Sequence, residues 1–177
     1  FRAIAEAVPL PQVIYNVPGR TGVNLLPETV SRLADISEIV AIKEASGNLD
    51  QMKSVIARRR DNFSVLSGDD NMTLDLVEAG GDGVISVASN IIPGRMVSMV
   101  HAALEGNMAA ARKAEKELMP FFKAMFLETN PIPVKTAMAM QGWCEEEFRL
   151  PMCTFSNDAH RDTLRALLDR LEVRKAQ

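Results

Sequence analysis

Four short runs of apolar and β-branched residues recur through the first half of the chain, and each is followed by a segment with helical spacing. The runs are Gln12–Val17, Ile39–Glu44, Phe63–Ser67 and Gly83–Val87. Each has strand length and is bounded by Gly, Pro, Asn or Asp, which punctuate strands. Between and after them the spacing predicts helices over Pro27–Ala34, Asn48–Arg59, Asn71–Ala79 and Pro93–Glu105. Proline at a helix start loses nothing by lacking an N–H, and Gly80-Gly81 is an ordinary C-terminal stop. Strands alternating with helices predict parallel βα units, with strands that are apolar on both faces.

The pattern changes after Gly106. Asn107–Leu127 reads as one long helix that Pro120 could kink, Asn130–Pro133 interrupts it, and Val134–Gln141 resumes helical spacing. Cys144–Asp158 reads as irregular, and Asn157 or Asp158 can cap a last helix ending near Val173. The expected division is therefore a β/α region over residues 1–106 and an all-helical region over residues 107–177.

Composition narrows the function classes. Hydrophobic residues make up 47% of 177, enough for a core. Twenty basic and 23 acidic residues leave a net charge of −3, which gives no electrostatic reason to expect nucleic acid or an anionic membrane as partner. No apolar run approaches the roughly 20 residues that span a bilayer. The two cysteines, Cys144 and Cys153, are expected as free thiols in a cytoplasmic protein. No cluster has the spacing of a metal site. The chain opens on Phe1, without Met and in a helix-like stretch, so a piece of a longer protein is expected.

Alternation along Ile39–Glu44 puts Val40, Ile42 and Glu44 on one face and Ile39, Ala41 and Lys43 on the other. If Val40 and Ile42 pack against helices, Lys43 points inward at the strand's C-terminal end, where β/α folds build active sites. A lysine desolvated there becomes available as a nucleophile; the alternative is a lysine that snorkels to solvent or pairs with Glu44. Tyr15 holds the corresponding place in the first run, beside Val13 and Val17, either to relay protons or simply to pack its ring. Arg20, in the Gly- and Pro-rich loop Asn16–Gly22, could grip a carboxylate with two hydrogen bonds or stand solvated. Asp69 and Asp70 read by default as helix caps. His101 and His160 lie within helices, as structural or exposed residues.

Taken in order, Tyr15-Asn-Val-Pro-Gly-Arg-Thr-Gly22, Ile42-Lys-Glu-Ala-Ser-Gly-Asn48, Leu66-Ser-Gly-Asp-Asp70, Gly83-Val-Ile-Ser86 and Asn130-Pro-Ile-Pro-Val-Lys135 resemble the successive signatures of the dihydrodipicolinate synthase family. The resemblance runs through Arg149-Leu-Pro-Met152 to the terminal helix. It implies the last four units of an eight-stranded β/α (TIM) barrel followed by a helical appendage. It also implies a lyase that condenses pyruvate with aspartate semialdehyde on the way to diaminopimelate and lysine, without a cofactor or metal, in a dimer or tetramer. By the same resemblance Lys43 forms the Schiff base and Tyr15 passes protons. Arg20 holds the semialdehyde carboxylate, Thr21 shapes the Arg20 loop, and Gly68 and Ile85 line the pyruvate pocket. Arg20-Thr21-Gly22 favours the synthase branch over the sugar-acid lyases that share the lysine, tyrosine and barrel. The family's Gly-Thr-Thr-Gly-Glu-like motif, its lysine feedback site and the tyrosine lent by a neighbouring subunit do not occur in these residues. An isolated half-barrel without catalysis, self-associating through open strand edges and through uncovered Val13, Ala41 and Ile85, is therefore the competing expectation.

Overall fold

The computed structural model describes residues 1–173. The chain divides into two compact units, Phe1–Ser86 with Ala102–Asn107, and Val87–His101 with Met108–Gln177. The division falls inside one helix, Pro93–Leu104.

In the first unit, helix α1 (Arg2–Ala7) precedes strand β1 (Gln12–Asn16), and α2 (Pro18–Thr21) and α3 (Pro27–Leu33) lead to β2 (Ile39–Glu44). Then α4 (Leu49–Arg58), β3 (Ser64–Ser67), a 3-10 turn over Asp70–Met72, α5 (Thr73–Glu78) and β4 (Gly83–Val84) follow. The four strands form one parallel sheet in the order β1-β2-β3-β4, each step crossing over through helix as parallel pairing requires. All four C-terminal ends therefore lie along one rim. Proline opens both α2 and α3, and the Asn48 side chain caps α4 by accepting from the Gln51 N–H.

One sheet face is covered. Ile14, Ile42 and Val65 pack with Val30, Ile36, Met52, Val55, Phe63 and Leu76, and Ile42 and Val65 are wholly excluded from solvent. Burying a Val or Ile side chain in this way is worth about 1.5–3 kcal/mol. The other face is open at Val13, Tyr15 and Ile85, which are 50%, 48% and 40% exposed.

Four expectations are corrected here. Ile39, expected on the Lys43 face, joins the helix-side core, because β1 and β2 slip register between Gln12, opposite Ile39, and Val13, opposite Ala41. Such an irregularity breaks the two-residue alternation locally. Ala41 is buried rather than uncovered, its methyl group flanked in register by Val13 and Ser64. The first three runs form strands close to their expected limits, but β4 spans two residues. Ile85 still donates its N–H to the Ser67 carbonyl, and Val87 has already turned helical, with φ −79° and ψ −46°, before a 3-10 turn over Ala88–Asn90. Asp69 stands at the start of the 3-10 turn without capping it through its side chain.

In the second unit, α6 (Pro93–Leu104) begins, α7 (Met108–Ala124) runs unbroken through Pro120, and α8 (Ile132–Met140) and α9 (Asp158–Arg170) complete the set. Helix α9 packs on α7 and α8, with Leu118, Phe121, Ala137, Leu164 and Leu168 buried. Helix α8 starts two residues before its expected start because Pro133 falls in its first turn, where proline is tolerated. The Asn157 side chain caps α9 by accepting from the Ala159 and His160 N–H groups. Cys144 and Cys153 are both free thiols. Among the described residues no helix is long and apolar enough to cross a membrane.

Candidate active site

Strand pairing sets the centre of the site. Tyr15 lies directly opposite Lys43 in the β1–β2 register, one residue before both strands end, and both project from the open face. The Lys43 ammonium sits over the Tyr15 ring, 4.3 Å from its centroid. That is a cation–π contact, which steers the amine without using the tyrosine hydroxyl. Lys43 and Glu44 leave opposite faces of the strand, and Glu44 accepts from Asn16, the Ser46 N–H and Gln51, all neutral donors.

Gly68 closes one side of the lysine. A β-carbon built there would lie 2.5 Å from the Ala45 β-carbon and 3.2 Å from both Lys43 Cε and the Glu44 carbonyl. Only glycine lets the β3 exit come this near the lysine stem. Asp69 follows. Its carboxyl is pushed above the ordinary range, chiefly by burial and also by Asp70 and Glu44, while Lys43 pulls the other way. That opposing pull places Asp69 in the electrostatic reach of the amine, a role the sequence reading did not give it.

Arg20 is exposed at the last turn of α2, in the loop that leaves β1. The loop is tightly formed. Gly22 ends α2 with φ +71°, a left-handed conformation that glycine adopts at little cost, and the Thr21 hydroxyl is shared among the Val17 carbonyl, the Val23 carbonyl and the Val23 N–H. Thr21 is thus engaged within the loop itself. Ile85, 40% exposed, stands at the exit of β4. The structure brings Lys43, Tyr15 and Gly68 together, sets Ile85 on the same strand-end rim, and carries Arg20 and Thr21 on the loop above β1.

Beneath this group lies a buried polar cluster that the sequence only hinted at. Glu44 is wholly buried, and its carboxylate accepts from Asn16 Nδ2 at 2.9 Å and the Ser46 N–H at 2.7 Å. The signal was the acid at an apolar-face position of β2, since charged residues are rarely buried without partners.

Comparison with known proteins supplies the rest. The sequence profile of the "Dihydrodipicolinate synthetase family" matches residues 1–171. The chain belongs to that family. It is 52% identical over 168 residues to the 4-hydroxy-tetrahydrodipicolinate synthase of Pelobacter propionicus, a match covering 95% of this chain and 58% of that protein. To the enzyme of the same name from Syntrophus aciditrophicus it is 55% identical over 152 residues, covering 86% and 52%. Among solved structures, dihydrodipicolinate synthase from Aquifex aeolicus superposes with a TM-score of 0.95 at 41% identity, over 99% of this chain and 60% of that one. A monomeric dihydrodipicolinate synthase variant gives 0.93 at 43%, over 97% and 58%. The chain thus spans a little over half the length of its family relatives and matches their C-terminal part. The parallel sheet and helices described above correspond to that stretch of the family fold.

Proposed function

We propose that the protein to which this chain belongs condenses pyruvate with aspartate semialdehyde through a Schiff base on Lys43. The observation that carries the reading is Lys43 at the rim of the sheet, opposite Tyr15 and against the bare backbone of Gly68. The neutral Lys43 amine attacks the pyruvate keto carbon, and loss of water gives the imine. The imine is an electron sink, so a methyl proton leaves and an enamine forms. The enamine carbon bonds to the aldehyde carbon, whose oxygen takes up a proton. The amino group of the former semialdehyde then attacks the imine carbon, closing the ring and releasing Lys43. Tyr15 is the proton carrier that this chain supplies, Gly68 and Ile85 border the pyruvate, and Arg20 receives the semialdehyde carboxylate, with Thr21 holding its loop.

Family membership, the names of the relatives and the Arg20-Thr21-Gly22 sequence support this reaction over that of a sugar-acid lyase. The same reading takes the protein as a cytoplasmic homo-oligomer working in diaminopimelate and lysine biosynthesis. The open sheet face and the two sheet edges support a site completed by further polypeptide, so this span alone lacks turnover.

Arg20→Ala in the whole protein tests the assignment. Losing a charge-assisted carboxylate contact costs on the order of 1.5–3 kcal/mol. The expected result is a raised KM for aspartate semialdehyde with pyruvate imine formation unchanged. Equal loss for both substrates would return Arg20 to a purely structural role and favour the sugar-acid lyase.

A further inference from the structure

The loop carrying Arg20 is closed at its neck by a cage of amide side chains resting on a buried carboxylate. Asn16, at the end of β1, donates through Nδ2 to Glu44 Oε2 and to Asn24 Oδ1, both at 2.9 Å. Its own Oδ1 accepts from the Leu25 N–H at 3.0 Å. Asn24 donates through Nδ2 to Gln51 Oε1 at 2.8 Å, and Gln51 Nε2 donates back to Asn24 Oδ1 at 3.0 Å. Gln51 also reaches the Leu25 carbonyl at 3.3 Å and Glu44 Oε2 at 3.4 Å, while its backbone N–H is held by the cap residue Asn48.

Every group in the cage has its orientation fixed by a neighbour. A carboxylate only accepts, so Asn16 and Gln51 must present their NH2 groups to Glu44. Both amide oxygens are thereby turned away, toward the Leu25 N–H and the Asn24 NH2. Glu44 sits one residue from Lys43 and is anchored in β2, and Gln51 belongs to α4. Asn24 is exposed and closes the loop of which Arg20 is the outer part. The Asn16, Glu44 and Gln51 side chains in the network are buried, so breaking a bond to any of them leaves a buried group short of a partner, which stiffens the neck.

We propose that Asn24 and Gln51 are positioning residues that set the carboxylate grip of Arg20, by tying the Asn16–Leu25 loop to the Glu44 carboxylate behind Lys43. The inference rests on the reading of Arg20 given above. Neither residue reaches the substrate; each acts through the loop. The cage bonds the loop's neck, leaving the Lys43–Tyr15 pair on the opposite sheet face to the strand register.

A double-mutant cycle in the whole protein tests this, with Asn24→Ala combined with Arg20→Ala. Asn24→Ala is expected to raise the KM for aspartate semialdehyde about five- to tenfold, the effect of about one lost hydrogen bond. In the Arg20→Ala background the same change should raise it less than about twofold, since coupled residues are not additive. Borohydride trapping of pyruvate on Lys43 should stay at the parent level in Asn24→Ala and Gln51→Leu, which also reports folding. Gln51→Leu provides the second variant, with the same KM effect expected and the same dependence on Arg20. Additive effects of Asn24 and Arg20, or loss of pyruvate trapping in Asn24→Ala, would overturn the proposal. Absence of trapping in the parent protein would instead sink the Schiff-base reading itself.

Discussion

At Gly68 a missing side chain matters as much as any present one. Its neighbours leave 2.5 Å to the Ala45 β-carbon and 3.2 Å to Lys43 Cε, so a methyl group must displace either the turn after β2 or the lysine stem. Overpacking of this kind costs about 1–3 kcal/mol. Gly68→Ala should therefore lower the thermal midpoint and slow imine formation by moving Lys43. Calorimetry and the rate of pyruvate trapping check it, and an unchanged trapping rate would show that the stem is not held from this side. At this scale much was legible. Alternation alone put Lys43 and Glu44 on opposite faces, and the position in each run aligned Tyr15 with Lys43. The amide cage was not legible, because Asn24 and Gln51 are 27 residues apart and meet where the loop leading into α3 lies against α4. Asp69 was read as a cap, since the burial and neighbouring charges that act on its carboxyl come from the folded sheet, which local spacing does not encode.

Among the elements, α8 and α9 are joined by a side chain from the irregular stretch between them. Glu146 accepts two hydrogen bonds from Arg161 on α9, at 2.7 and 3.0 Å, and one from the buried Thr136 hydroxyl on α8 at 2.9 Å. The Arg161 hydrogen bonds hold the Glu146 carboxyl below its ordinary range, with Thr136 adding to the effect and partial burial opposing it. A depressed folded value means the stabilisation is complete above the unfolded glutamate value of about 4.3 and is lost as pH falls through the folded one. Glu146→Gln should therefore unfold at a lower temperature than the parent at pH 7, and the gap should close as the pH falls from about 5 toward 3. Thermal melts across that range measure it; a gap independent of pH would mean the carboxylate charge contributes nothing. The same elements show where sequence spacing stops being informative. The apolar runs located three strands, while β4 ended early because the backbone turned helical at Val87, which a run of Gly, Val, Ile and Ser does not announce. Ile39 left its expected face because a register slip depends on the partner strand.

Taken whole, the molecule's described β/α unit is a parallel sheet with one face packed by helices and the other exposing Val13, Tyr15 and Ile85, its edges formed by β1 and β4. In a chain spanning a little over half the length of its family relatives, that open face is where Lys43 stands beside Tyr15. Everything proposed for the site depends on Lys43 being the amine that takes up pyruvate. The direct measurement is to treat the whole protein with pyruvate and sodium borohydride, digest it and map the reduced adduct by mass spectrometry. The account predicts one adduct, on the peptide containing Ile42-Lys43-Glu44, and none in Lys43→Arg. An adduct on another lysine with Lys43 unmodified, or no pyruvate-dependent adduct at all, would contradict it.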